Sequence, residues 1–331
     1  MSRAFLYFFG LSWLLHAVPA SAMIERRVEH RFEVPADKAS LSVDTFSGLV
    51  HVTSVADGNA IEVLLIQAAE VDTEKQMDDK LKLVKLDMVQ KGGEVKVSAQ
   101  YRKWIIPLWE DWPPVALTYE IRVPRRCQVQ VRTRDGGIVI GAIEGNLVLN
   151  NESGAIFTEA ITGSVTATSR SGGIGITAAT GAITATTSLG NITVGRAGGA
   201  TKLSSKGGYI ELQRASGEVT VRGSGSDANV GFVSPIKHPA DISVSGGDVT
   251  IVMESECDSF LDLNASVFGH VSFDGNLPFK FTGDPTTRSA VKGMANAGGP
   301  RIWVRADGGN VRVRGFAPLA TNAAAIKSGL Q

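Results

Sequence analysis

Ten glycines stand nine residues apart: Gly136, Gly145, Gly154, Gly163, Gly172, Gly181, Gly190, Gly199, Gly208 and Gly217. Two places after each comes Ile138, Leu147, Ile156, Val165, Ile174, Ile183, Ile192, Thr201, Ile210 or Val219. Two further on stand Ile140, Leu149, Thr158, Ala167, Ile176, Ala185, Val194, Leu203, Leu212 and Val221, with Thr158 the one polar side chain in that second row. Each unit is therefore G-x-Φ-x-Φ followed by four turn-like residues. The period of two points both Φ side chains to one face of a strand, and the residues between them face outward. Glycine ahead of each strand supplies a backbone conformation that other residues avoid, or lets neighbouring turns approach closely.

A longer beat overlies the first. Ile143, Ile161, Ala179, Ala197 and Ala215 stand two places before alternate glycines, while Glu152, Arg170, Ser188 and Lys206 fill that place in the other units. The spacing predicts an 18-residue repeat with two strands per coil. A single coil cannot bury its own apolar face, but stacked coils can. The fold expected is all-β: a single-stranded β-solenoid on a 9/18-residue repeat. An antiparallel meander is the structural alternative. Nine-residue repeats of another type bind calcium through a repeated aspartate. Here no aspartate occurs from 136 to 226, and the acids Glu144, Glu152, Glu159, Glu211 and Glu218 hold no fixed place in the repeat. The beat carries shape rather than metal chemistry.

The flanks divide the chain. Residues 1–22 show one basic residue (Arg3), an apolar run and then Ala20-Ser21-Ala22, the order of a secretory signal peptide cut after Ala22. An uncleaved signal anchor is the alternative. Residues 23–133 are expected as an N-terminal β-rich cap with one helix. The stretch 72–90 is helix-like, with Met77, Leu81, Val84 and Met88 at three- and four-residue steps. The regular solenoid is expected over 134–226 and a less regular continuation over 227–316. That continuation keeps G-x-Φ-x-Φ at Gly247–Ile251 and Gly309–Val313. Residues 317–331 read as a loose tail.

Composition narrows the function classes. Lys plus Arg and Asp plus Glu number 33 each. This balance gives no electrostatic case for nucleic acid. Cys127 and Cys257 allow one disulfide if the chain is exported, and the sequence leaves open whether they pair. With His30, His51, His238 and His270 widely scattered they form no zinc pattern, and no cofactor is expected. No transmembrane segment is expected in the mature chain. WIIPLWEDWPP (104–114) stands apart and carries Trp104, Trp109 and Trp112. It is either an apolar loop for a glycan, a lipid surface or a partner protein, or a plug over one end of the solenoid. Its acids, Glu110 and Asp111, are adjacent, and adjacent residues on a strand point apart.

TYEIRVP (118–124), the glycine-punctuated units and GGPRIWVRADGGNVRV (298–313) together resemble a bacterial adhesin family of unknown function with β-strand repeats, related to the head domain of autotransporter adhesins. The resemblance covers about residues 28–316. It implies an exported, non-enzymatic β-solenoid of the cell envelope, periplasmic or extracellular, and carries no catalytic residues with it. The function expected is a surface binding or adhesion module with an envelope protein or a surface glycan as partner. Its support is the long outward rows of Thr, Ser and Asn. The alternative is an envelope-stress regulator or scaffold docked on a membrane protein. A carbohydrate-active enzyme is a third, minor reading, since it needs converging carboxylates.

Overall fold

The structure is a computed structural model that describes residues 23–35, 37–56, 58–102, 112–266, 268–275, 277–282 and 289–316. The expected signal segment and tail lie outside the described residues. Two fourteen-stranded sheets face one another. Sheet 1 begins at the edge strand Met23–Glu33, and sheet 2 begins at the edge strand Val84–Lys91. Successive strands of the repeat enter sheet 2 and sheet 1 in turn, so one coil is one strand of each.

Numbered in spatial order, coil 1 is Ser40–Ser47 with Leu49–Val55, and coil 2 is Gln128–Asp135 with Ile138–Ile140. Coils 3 to 6 are Leu147–Ser153 with Ile156–Thr162, Val165–Ser171 with Ile174–Ala179, Ile183–Leu189 with Ile192–Ala197, and Thr201–Ser205 with Ile210–Ala215. Coils 7 and 8 are Val219–Ser224 with Ala228–Phe232 and Ala240–Ser245 with Val249–Glu254. Coil 9 is Arg301–Asp307 with Val311–Phe316, and coil 10 is Ser259–Ala265 with Val271–Asp274.

Coil-to-coil pairing is parallel throughout, and in coils 3 to 6 it joins each residue to the one 18 positions on: Ile156 to Ile174 to Ile192 to Ile210, and Leu147 to Val165 to Ile183 to Thr201. This is the solenoid, not the antiparallel meander. Both Φ rows are buried between the sheets. At about 1.5–3 kcal/mol for each large aliphatic side chain, these stacked rows are the main stabilising term.

The chain leaves the stack twice. After coil 1 it runs through Ala60–Glu70, a helix at Glu74–Leu81, the hairpin Val84–Lys91 with Glu94–Tyr101, and Ala116–Pro124, before coil 2 lands on coil 1. The stack therefore begins at Ser40, inside the segment expected as a cap. The helix is shorter than the 72–90 expected. Thr73 caps it, accepting from the Gln76 amide at 3.3 Å while the Gln76 side chain accepts from the Thr73 amide at 3.1 Å. It ends at Leu81, and Val84–Lys91 pairs with Glu94–Tyr101 as a strand. The second departure follows coil 8: coil 10 comes first in the chain, and coil 9, later in the chain, slots between coils 8 and 10 in both sheets. Phe273, Phe279 and Phe281 cluster at that end, with centroids 4.6 to 5.9 Å apart.

The ten repeat glycines form two columns at the turns. A Cβ on Gly154 would overlap the carbonyl oxygen of Gly136, one on Gly172 that of Gly154, and one on Gly190 that of Gly172. The alternate column does the same through Gly145, Gly163, Gly181, Gly199 and Gly217, with Cys127 in the glycine place of coil 2. The residue after each glycine often caps the next turn. Asn146 Oδ1 accepts from the Ser164 amide at 2.9 Å, and Asp248 Oδ1 from the Asn310 amide at 2.7 Å.

Cys127 and Cys257 are both buried free thiols. Cys127 precedes the first strand of coil 2 and Cys257 that of coil 10, eight strand steps apart in sheet 2. At about 4.8 Å a step they stand roughly 38 Å apart, far beyond the reach of a disulfide. The pairing left open by the sequence is therefore ruled out.

Candidate functional site: an aromatic groove on the first coils

Of the three tryptophans singled out, Trp104 and Trp109 lie outside the described residues, as do Glu110 and Asp111. Trp112 is half-buried against two other aromatics. Its ring centroid is 4.9 Å from Tyr101, edge to face, and 5.5 Å from Phe46. Tyr101 ends the strand Glu94–Tyr101 on the parity of the inward Val95, Val97 and Ala99 and is half-buried. Phe46 lies where the inward–outward alternation of Ser40–Ser47 breaks, with Thr45, Phe46 and Ser47 all buried in succession.

These rings floor a groove of about 510 Å³ whose polar rim is Asp44, Gln100, Arg132, Arg134 and Glu152. Asp44 and Arg132 are cross-strand partners, and Arg134 approaches Glu152 at 4.0 Å. Exposed pairs of this kind add little stability but set the charge pattern of the rim. The groove continues into a second hollow of about 520 Å³ that shares Arg132, Thr133 and Glu152 and extends past Asn150 and Thr168 to Thr186. The outward Thr, Ser and Asn rows expected from the repeat thus form its floor. The result is an apolar platform leading into a strip of planar amides, hydroxyls and arginines. That arrangement can stack a flat ring and hydrogen-bond the groups around it.

Other candidates have structural surroundings. Asp262 is buried, with Arg301 bonded to it and Lys292 Nζ at 3.4 Å, so its charge is matched. Among the described residues no group of three or more His, Cys, Asp or Glu side chains could hold a metal ion, and no helix is long and apolar enough to cross a membrane. Burial pushes the Cys127 thiol up to about 12. Burial also raises Cys257, to about 11, with Glu254 and its acidic neighbours adding to the shift.

The repeat hid one row. Thr45, Thr133, Asn151, Ser169, Thr187 and Ser205 stack in register through coils 1 to 6 and are all buried. Asn151 Nδ2 donates to the Gly136 carbonyl at 2.7 Å, Thr187 to Gly172 at 3.1 Å and Ser205 to Gly190 at 3.2 Å. These three bonds secure glycine turns from inside, while Ser169 Oγ in the same row is buried without a hydrogen-bond partner. Its sequence signal is a Ser, Thr or Asn three places before alternate glycines.

Similar structures exist in bacteria. A putative cell adhesion protein from Clostridium sporogenes is 8% identical, with 88% of this chain and 100% of that one covered and a TM-score of 0.22. A putative adhesin from Bacteroides fragilis is 11% identical, with 88% and 97% covered and a TM-score of 0.41. A putative lipid binding protein from Parabacteroides distasonis is 11% identical, with 87% and 96% covered and a TM-score of 0.32. No curated protein matches the chain. The Toastrack DUF4097 family matches residues 7–252, from the N-terminal segment into the second strand of coil 8, and the chain belongs to that family.

Proposed function

We propose that the protein is an exported, non-enzymatic binding module of the cell envelope that takes surface glycans in the groove over coils 1 to 5. One observation carries this reading: Phe46, Tyr101 and Trp112 form an apolar platform that opens directly onto the polar strip from Arg132 to Thr186. A pyranose ring has an apolar face and a hydroxyl rim, and such a platform and strip complement both. The signal-like order of residues 1–22 supports export. The test is a glycan array probed with the chain from Met23 and with Trp112→Ala. Binding to envelope or foreign-surface saccharides, weakened roughly tenfold in the variant, is the expected result. Absence of any saccharide binding, with capture of a single membrane protein that Trp112→Ala abolishes, would replace it with a scaffold that docks on that protein.

A further inference from the structure

The outer face of sheet 1 carries a second cleft, of about 710 Å³, across coils 3 to 6. The repeat builds it. In each of these coils the inward–outward alternation slips once in the sheet 1 strand, so that two successive residues face out: Glu159 and Ala160, Thr177 and Ala178, Gly195 and Arg196, Gln213 and Arg214. The slip raises a ridge along the sheet, and the cleft lies beside it. Between coils 6 and 7 the register shifts outright, at Leu212–Ala215. Bulges re-aim side chains in this way.

Two features of the cleft have no structural use in the fold. Phe157 is 45% exposed and lies over Gly175, where a Cβ would stand 3.1 Å from its ring edge. The ring edge thus covers the sheet at Gly175, and nearly half of the side chain is open to solvent. On the ridge, Arg196 and Arg214 are direct cross-strand partners. Like charges so placed repel, yet neither guanidinium has an ion pair or hydrogen bond among the described residues. The acids nearby do not serve them: Glu211 lies in the same row as Phe157 and Thr193 and accepts from Gln213 at 3.2 Å, and Glu159 stands two strands from Arg196.

We infer that this cleft binds an acidic saccharide, with a sugar ring on Phe157 and its carboxylate between Arg196 and Arg214. An anion placed there removes the arginine repulsion and meets planar donors suited to a carboxylate. The exposed ring and Thr193 favour a sugar, because a uronic acid carries a stacking face and hydroxyls beside its carboxylate, which an aspartate side chain lacks. The site lies on the opposite sheet from the Trp112 groove, and the inference stands without the function proposed for that groove.

The experiment measures binding of a galacturonate hexamer, its methyl ester and hexa-aspartate by titration calorimetry, on the full chain and two variants. The acid hexamer is expected to bind, the ester to bind at least tenfold more weakly, and Arg196→Gln/Arg214→Gln to lose the acid hexamer by the same factor. Phe157→Ala is expected to weaken the hexamer and leave hexa-aspartate unchanged. Phe157 and Arg196 are exposed and Arg214 is only half-buried, so unchanged thermal midpoints serve as the folding control. Equal binding of acid and ester, an undiminished double-arginine variant, or no saturable hexamer binding at millimolar concentration would overturn the inference. Hexa-aspartate bound as tightly as the hexamer, with Phe157→Ala harmless to both, would turn the cleft into an acidic-peptide site and overturn it equally.

Discussion

Gly136 rests against the carbonyl of Gly48 with no room for a side chain between them, although the two are 88 positions apart. Ser54 donates to the Ala142 carbonyl at 2.6 Å across the same offset. The turn column is therefore one continuous structure through the stack, indifferent to what the chain does between coils.

Close approach and backbone conformation can be separated by substitution. Gly172 has a carbonyl where a Cβ would go and no left-handed φ, whereas Gly92 has φ +62° and open space around it. Gly172→Ala is expected to cost about 2–4 kcal/mol, because backbone on both sides cannot yield. Gly92→Ala is expected to cost only about 1–2 kcal/mol, the conformational penalty alone. Urea midpoints of the two variants check the order.

Thr158 is buried in the second Φ row with an unbonded hydroxyl, while Thr187 spends its hydroxyl on the Gly172 carbonyl at 3.1 Å. Thr158→Val removes an unsatisfied polar group at constant shape and is expected to stabilise the protein by about 1 kcal/mol. Thr187→Val leaves a turn carbonyl unpaired and is expected to destabilise it by about the same amount. Thermal denaturation of both variants should give shifts of opposite sign.

The Tyr119 phenol is pushed up to about 12 by burial, against a weaker lowering by its hydrogen bond with Thr45 at 3.0 Å. The unfolded chain releases that proton near pH 10, two units earlier. The contribution is therefore complete below pH 10 and drains as the pH rises toward 12, for a loss of about 2–3 kcal/mol. Tyr119→Phe should be less stable at pH 8 through loss of the hydrogen bond. It should also have a flatter stability profile from pH 9 to 11, as read by urea denaturation at each pH.

With its thiol near 12, only about one Cys127 in ten thousand is thiolate at pH 8. Iodoacetamide should leave Cys127 and Cys257 unmodified in the native protein and label both in urea. Reductant should not move the denaturation midpoint, since no disulfide links them.

The sequence made the middle of this fold plain because 18-residue coils repeat without interruption from Gly136 to Gly217. Coil 1 carries the same G-x-Φ-x-Φ at Gly48, Val50 and Val52, but its offset of 88 is no multiple of nine, so the insertion takes it out of the beat. The helix ends short of the 72–90 that the spacing predicts for a physical reason: Leu81, Val84 and Met88 fit a helical stripe, but Val84, Leu86 and Met88 fit a strand equally well, and pairing with Glu94–Tyr101 decides. Trp112 was visible by composition. Its partners Phe46 and Tyr101 were not, because nothing local marks two aromatics that meet only when an insertion folds back on coil 1. Arg196 and Arg214 become neighbours only once the coil length is known.

Coil 9 sits between coils 8 and 10, although coil 10 precedes it in the chain. A simple solenoid can grow as it is synthesised, each new coil closing on the last. This one cannot finish that way. Until residues 301–316 arrive, coil 10 has no strand to pair with on its inner side and coil 8 ends in open edges. The last strands of the stack thus act as a wedge that locks both neighbours at once, and a chain halted before Arg301 would leave the facing strand edges of coils 8 and 10 exposed to self-association in both sheets.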